Sequence, residues 1–327
     1  MSHIRRILTI ISLLAAACAA RGQNAEALFA HYWAMPTVYN PAATGSTDFI
    51  RIRGGARLQW LGIHNAPKSF TGAADMPVRI GKQRIGVGVT AMQEGLGLFS
   101  NLNLGVQASY KLKLGKGILS IGVQGGYYNS TFKGSEVELP DDDDFHEGSD
   151  EAIPTQDLAG NSMDVSAGLW YEHPAFYVGI SGLHLTDPVV RMSLEGSEST
   201  ETQEYETKLS RTLYFTAGSN IQIKNTLFEL QPSVIAATDL HDFTGQVDLR
   251  ARYNRFLSLG VGYRYQAGIS VSLGAEYKNF FLGYSYEYPL SAIAKASSGS
   301  HEIVAGYQLK LDFSQKNKNR HRSIRIM

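Results

Sequence analysis

Between Thr207 and Phe313 the chain repeats one short pattern, a run of strict apolar/polar alternation followed by a tight polar turn. In one run Ile269, Val271, Leu273, Ala275 and Tyr277 point one way, and Gly268, Ser270, Ser272, Gly274 and Glu276 the other. In Phe243–Tyr253 the apolar Phe243, Val247, Leu249, Ala251 and Tyr253 oppose Gln246, Asp248, Arg250 and Arg252. A strand reverses its side-chain direction at every residue, so each run is a ribbon with one greasy and one polar face. A series of such ribbons behind an export leader predicts a sheet closed on itself, a transmembrane β-barrel of a bacterial outer membrane.

The leader is residues 1–22. His3, Arg5 and Arg6 give a positive start, Ile7–Ala17 a short apolar core, and Ala20-Arg21-Gly22 a small-residue site with cleavage expected after Gly22 or slightly earlier. The apolar core falls short of the roughly 20 residues a membrane helix needs, and no other segment approaches that length. The single cysteine, Cys18, lies in the leader. Ala15-Ala16-Ala17-Cys18 also reads as a degenerate lipoprotein site, although the usual aliphatic residue three positions earlier is missing. Later cleavage leaves a chain without thiols, which suits an exported protein that uses no disulfides. Gly (33 residues) and Tyr (17) are both abundant. Glycine lets strands coil and pack closely, and tyrosine favours the membrane–water boundary. A mean hydropathy of −0.15 excludes a helical membrane protein but does not separate a barrel from a soluble sandwich.

The connections make that separation. Fourteen strands are expected between Asp48 and Phe313, so residues 48–313 form the barrel, preceded by an aperiodic segment, 23–47, and followed by a tail, 314–327. Bacterial barrels have short periplasmic turns and longer outer loops. With a periplasmic start, every even-numbered strand should be followed by a tight turn. The six such turns are Arg79–Lys82, Gly115–Gly117, Glu172–Ala175, Lys224–Thr226, Asn254–Arg255 and Lys278–Asn279, and all are short. The three longest connections, Lys133–Ser162, Thr186–Thr207 and Pro289–Ser300, fall on the opposite side. A soluble sandwich has no reason to sort its loops by parity. Fourteen strands lie between small filled barrels and open porins, which leaves a lumen that is open, narrowed by side chains, or plugged.

Catalytic patterns are scarce. The chain lacks a Gly-x-Ser-x-Gly elbow, a phosphate loop and a His-Glu-x-x-His pair, and no cofactor is expected. The expectation is a protein that is not an enzyme. Gly86-Val87-Gly88 sits inside a strand, where it reads as a curvature point. Lys133–Gly160 is the most charged stretch, and its Asp141, Asp142, Asp143 and Asp144 read either as part of a solvated loop or as a partner-docking surface or weak calcium site, although the spacing matches no calcium-loop motif. The tail is basic (Lys316, Lys318, Arg320, Arg322, Arg325), either a frayed end or a contact for a periplasmic partner. Nucleic acid is not an expected partner in that compartment. On the lumen face, Asp248, Arg250, Arg252, Arg264, Glu276, Glu302, Lys310 and Asp312 bring both signs together, as a salt-bridge network or as the lining of a mixed-selectivity channel.

Three groups of residues resemble a known family. Tyr32-Trp33-Ala34-Met35-Pro36 with Tyr39-Asn40-Pro41-Ala42-Ala43-Thr44-Gly45-Ser46 resembles the opening signature of the PorP/SprF family. Asn161 and Asp164 through Gly168-Leu169-Trp170-Tyr171 and Val178-Gly179-Ile180-Ser181 to His184-Leu185 and Pro188 resemble its middle. Ser300-His301-Glu302-Ile303 with Gly306-Tyr307 resembles its closing strand. The chain departs from the family pattern at Glu26-Ala27-Leu28-Phe29, where an aspartate- and glutamine-containing segment is usual, and in a longer basic tail.

The resemblance implies an outer-membrane barrel of the type IX secretion and gliding machinery. Its implied partners are the lipid of the outer membrane, other components of the machinery, and a large secreted surface protein or adhesin with a C-terminal sorting domain. It also singles out Tyr39, Asn40, Pro41, Gly45, His301 and Glu302 as motif residues. On this reading residues 23–47 are ordered at the periplasmic mouth or within the lumen. The competing reading is an outer-membrane diffusion channel.

Overall fold

The computed structural model describes residues 27–81, 83–137, 154–194 and 205–311. Fourteen antiparallel strands form the wall. In chain order these are β1 (Phe49–Leu58), β2 (Lys68–Ile80), β3 (Gln83–Leu96), β4 (Phe99–Leu114), β5 (Gly117–Phe132), β6 (Leu158–Glu172) and β7 (Phe176–Leu183). They continue as β8 (Thr212–Ser219), β9 (Phe228–Thr238), β10 (Phe243–Tyr253), β11 (Leu257–Arg264), β12 (Gly268–Tyr277), β13 (Phe280–Pro289) and β14 (Ser300–Lys310). Each strand pairs with the next. β1 also pairs with β14, from Phe49↔Lys310 to Leu58↔His301, which closes the sheet and leaves the wall no edge.

Burial is inverted relative to a water-soluble protein. Ile52, Val89, Val106, Val247, Leu273 and Leu282 are exposed on the outer face, while Arg57, Gln107, Gln124, Gln246, Arg264 and Glu302 are buried inside. The alternation read from the sequence therefore sorts as expected, with apolar residues outward where hydrocarbon would lie.

Turn chemistry fixes the rims. At the rim bearing both wall termini, Asn254 and Arg255 both take positive φ (49° and 54°), as a two-residue hairpin turn demands. The opposite rim is less uniform than its three long connections suggest. Leu96 pairs directly with Phe99, so β3 and β4 meet in a tight turn on that side too.

The connection after β7 is not the plain loop expected over Thr186–Thr207. Positive φ at His184 and Asp187 bends the chain, which then forms a hairpin of Val189–Leu194 against Tyr205–Lys208. The hairpin buries Val190 and Met192 against Leu158, with Tyr128 and Phe132 alongside. Its Val190-x-Met192-x-Leu194 alternation is itself a strand signal. β8 accordingly begins at Thr212 rather than Lys208, and β14 ends at Lys310 rather than Phe313.

Candidate functional site: a lumenal plug and its seat

The lumen is filled by the chain's own N-terminal segment. Ala27–Ala30, His31, Tyr32, Met35 and Thr37–Thr44 are all buried, far inside a wall whose first strand starts only at Phe49. The segment is aperiodic because it is three single turns in series. These are a 3-10 turn at Tyr32–Ala34, a helical turn at Pro36–Tyr39 and a 3-10 turn at Pro41–Ala43. Pro36 and Pro41 each start a turn, where a missing N–H costs nothing. Turns this short leave most backbone groups without internal partners, and buried backbone polar groups require partners. The polar face of the wall supplies them.

Three anchors do this work. Nearest the outer rim, the Glu302 carboxylate accepts from the Ala30 and His31 amides (2.6 and 2.9 Å) and pairs with His31 Nδ1 at 2.6 Å. Arg57 on β1 reaches both Glu287 (2.9 Å) and Glu302 (3.5 Å), and Arg264 reaches Glu287 (3.3 Å). At the middle, Asn40 Nδ2 donates to the carbonyls of Leu169 (3.0 Å) and Ile180 (3.2 Å), while its Oδ1 accepts from the Ala42 amide (2.9 Å). Ser181 Oγ donates to the Tyr39 carbonyl. Nearest the periplasmic rim, Ser109 Oγ (2.7 Å) and Lys111 Nζ (3.0 Å) donate to the Thr44 carbonyl, and the Gly45 amide donates to Asp75 (2.7 Å).

Packing completes the seat. Phe29, Tyr32, Met35 and Tyr39 share one buried cluster with Ile235, Tyr214, Phe281 and Val304 of the wall. The Arg250 guanidinium lies 3.3 Å from the Trp33 ring centroid, and Phe281 meets the same indole edge-on at 5.5 Å. A cation held over an indole away from water contributes about 2 kcal/mol.

The motif residues separated by more than a hundred positions in the sequence thus meet. Asn40 sits over Gly168 and Gly179, where any side chain would collide with its amide. Glycine at these two places is a clearance for the plug. Gly86 serves likewise, since the Thr44 carbonyl passes over it; it is a point of close approach rather than of curvature alone. Tyr39 closes the segment on itself, its hydroxyl accepting from the Phe29 amide (3.0 Å) and donating to the Ala27 carbonyl (3.1 Å). Gly45 has φ +60°, and a Cβ there would meet Met76 and Gly86.

His301 does not join the site. Adjacent to Glu302 on one strand, it faces the other way and contacts the Tyr284 hydroxyl at 2.8 Å. Of the charged lumen residues, Arg252 bridges Glu229 (3.4 Å) and Glu276 (3.6 Å), so the wall carries the salt-bridge network together with the plug anchors. Lys310 is exposed at the rim. Asp312, Asp141–Asp144, the leader with Cys18, and the basic tail lie outside the described residues. Sequence reasoning missed Asp75, Ser109, Lys111 and Gln107, whose Nε2 donates to the Thr37 carbonyl (2.8 Å), as anchors; their inward period on β2 and β4 was the available signal. Among the described residues no group of three His, Cys, Asp or Glu side chains is placed to hold a metal ion.

Above the plug, towards the outer rim, lies a vestibule of about 520 Å³ with Ala27 and Leu28 at its floor. Glu94, Lys208, Asp239 and Asp242 stand around it.

The sequence matches the type IX secretion system membrane protein PorP/SprF over residues 22–307. The chain belongs to the PorP/SprF family. Its place is therefore the outer membrane, as a barrel of the type IX secretion system, and the plug lies within the matched residues. No curated protein matches the sequence. Solved structures with a similar course include the toluene transporter TbuX of Ralstonia pickettii, at 12% identity and TM-score 0.48, covering 84% of this chain and 93% of that one. The Pseudomonas putida toluene transporter TodX gives 11% identity and TM-score 0.49 with coverages of 84% and 93%. The Acinetobacter baumannii outer membrane protein Omp33 gives 9% identity and TM-score 0.43 with coverages of 82% and 100%.

Proposed function

We propose that this PorP/SprF barrel is a non-catalytic secretion and anchoring partner, which assists the secretion or surface attachment of a cognate large exported protein or adhesin. One observation carries the choice over a diffusion channel: below the outer vestibule the lumen is occupied by residues 27–45, hydrogen-bonded to the wall on several sides. A conduit for solutes needs an aqueous path, whereas a docking barrel needs a stable surface and a closed membrane. The apolar outer face takes up outer-membrane lipid. The acidic outer loop bearing Asp141–Asp144 offers carboxylates to the client's sorting domain, and the basic tail faces the machinery in the periplasm. No cofactor or metal enters this role.

Deleting the gene is expected to abolish surface display of one large exported protein while leaving small-solute uptake intact. Normal display in the deletion strain would refute the role. Steady ohmic conductance of the purified protein in planar bilayers would instead favour the channel.

A further inference from the structure

The two rims of the barrel differ in charge. At the outer rim bases and acids are interleaved, and Lys133 pairs with Glu136 (2.7 Å), Arg191 with Glu206 (2.8 Å) and Arg211 with Asp187 (2.6 Å). At the periplasmic rim the bases are in excess. Lys113, Lys116, Lys224, Lys278 and Lys310 are exposed there, and none meets a carboxylate among the described residues. The acids described near that rim are engaged. Arg84 holds Asp48, Arg252 reaches Glu229 (3.4 Å) and Glu276 (3.6 Å), and Arg255 reaches Glu229 (3.1 Å). Glu172 shares the inward face of β6 with Trp170.

Three of the lysines sit in turns spaced four strands apart around the wall: Lys116 between β4 and β5, Lys224 between β8 and β9, and Lys278 between β12 and β13. Each stands next to exposed apolar side chains. Leu114 precedes Lys116, Ile223 and Leu227 flank Lys224, and Tyr277 precedes Lys278, whose Nζ is 5.3 Å from the ring centroid. Aromatic pairs beside these turns, Phe228 with Tyr253 (5.0 Å) and Phe280 with Tyr307 (4.9 Å), mark where hydrocarbon gives way to headgroups. A lysine just beyond that belt lays its stem on the apolar surface and holds its ammonium at the depth of lipid phosphate.

We propose that the periplasmic rim binds anionic phospholipid of the inner leaflet, with Lys116, Lys224 and Lys278 each holding a lipid phosphate. An ammonium group is a point charge with three donors, which suits a phosphate. Charge alone would serve an acidic protein as well. The aromatic belt beside the turns decides for lipid, because it belongs to the same depth of bilayer and adds nothing to the binding of an acidic surface. Three holds distributed around the wall also define a plane. They fix the depth and tilt of the barrel and set its periplasmic mouth parallel to the membrane. A lysine near an anionic membrane surface favours it roughly fivefold.

The test uses the full-length protein folded in phosphatidylcholine vesicles that contain phosphatidylglycerol. In Phe280→Trp the added indole sits at the start of β13, opposite Tyr277 and next to the Lys278 turn. Its fluorescence, above the background of Trp33, Trp60 and Trp170, is quenched by brominated lipid in contact with it. Brominated phosphatidylglycerol should outcompete brominated phosphatidylcholine roughly fivefold at this position. The preference should vanish in Lys278→Gln and in high salt. Ile223→Trp should respond in the same way to Lys224→Gln. Val261→Trp, exposed in the middle of β11, should show no preference in any background. Equal quenching by both lipids at position 280 or 223, or a preference that survives the lysine substitutions, would overturn the proposal. So would an equal preference at position 261. Salt-sensitive binding of polyglutamate to the protein in pure phosphatidylcholine, without lipid preference at position 280, would also overturn it and assign the rim to an acidic protein. None of these outcomes depends on whether the barrel serves a secreted client.

Discussion

Replacing Asn40 by alanine tests whether the plug is held by its middle anchor. Asn40 is 1% exposed and makes three hydrogen bonds, two to wall carbonyls and one that caps the Pro41–Ala43 turn. Removing a buried partner costs about 0.5–1.5 kcal/mol per neutral bond, and more where a group is left without any partner. Loss of an N-cap alone costs about 1 kcal/mol. The three contributions overlap, since the capped Ala42 amide is one of the three bonds, so we place the total at about 2–4 kcal/mol. Each 1.4 kcal/mol is a tenfold change, so local undocking of Asn40–Gly45 should become roughly 30- to 700-fold more frequent.

Hydrogen exchange on the detergent-folded barrel reads this directly. The Ala43, Thr44 and Gly45 amides, bonded respectively to the Asn40 and Pro41 carbonyls and to Asp75, should exchange faster by that factor. The amides of β4 and β5 should keep their wild-type protection, because their ladder does not involve Asn40. An acceleration below threefold would refute the argument that Asn40 carries the seat. Equal acceleration in plug and wall would refute it differently, by showing that Asn40 supports the whole fold.

Four further outcomes follow from the same geometry. Gly168→Ala should overpack the seat by about 1–3 kcal/mol, since the new Cβ would meet Asn40 Oδ1 before any other atom. Part of that cost should vanish in an Asn40→Ala background, seen as non-additive urea midpoints. Glu302→Gln should lower stability by about 1.5–3 kcal/mol, because the charge-assisted bonds to the Ala30 and His31 amides are weakened while Arg57 keeps Glu287. The neighbouring His301→Ala should cost far less and leave plug exchange unchanged. At the outer hairpin, the hydrogen bond from Arg211 holds the Asp187 carboxyl below its ordinary value. Its stabilisation is present above about pH 4 and is lost as pH falls through the lowered value, so protection of the Arg211 amide should drop in that window and lose its pH dependence in Asp187→Asn.

The wall was legible because a barrel strand has one dominant instruction, its period of two. Ile269 to Tyr277 could be assigned to faces without knowing any neighbour. The plug was not legible in the same way. Residues 27–45 show no period because their backbone is satisfied by side chains from β2, β4, β7 and β14 rather than by a ladder. Its signal lay in the wall instead. Gly122, Gly168 and Gly179 are small residues on the polar face, and each clears the path of the plug. A face lined with glycine where water could have been met by charge indicates an occupant. His301-Glu302 shows the opposite lesson. Treated as a pair in sequence, they are divided by the alternation itself, and only Glu302 reaches the lumen.

The position of Glu302 also links plug docking to barrel closure. Glu302 lies on β14 and Arg57 on β1, the two strands that pair last in sequence terms to seal the wall. The carboxylate that receives Arg57 across this seam simultaneously binds the Ala30 and His31 amides of the plug. A contact spanning 272 positions carries a large loop-closure cost when formed alone. The tether from the plug to β1 is short, so Glu302 meets the plug and β1 in one event and the cost is met once for both. Without the plug, Arg57 and Glu302 would face a hydrated lumen, where an exposed ion pair contributes only about 0–1 kcal/mol. With the plug amides and His31 in place, the carboxylate is fully hydrogen-bonded. The plug, by removing that water and completing the hydrogen bonds of Glu302, strengthens the charge pair at the seam and so couples plug docking to barrel closure.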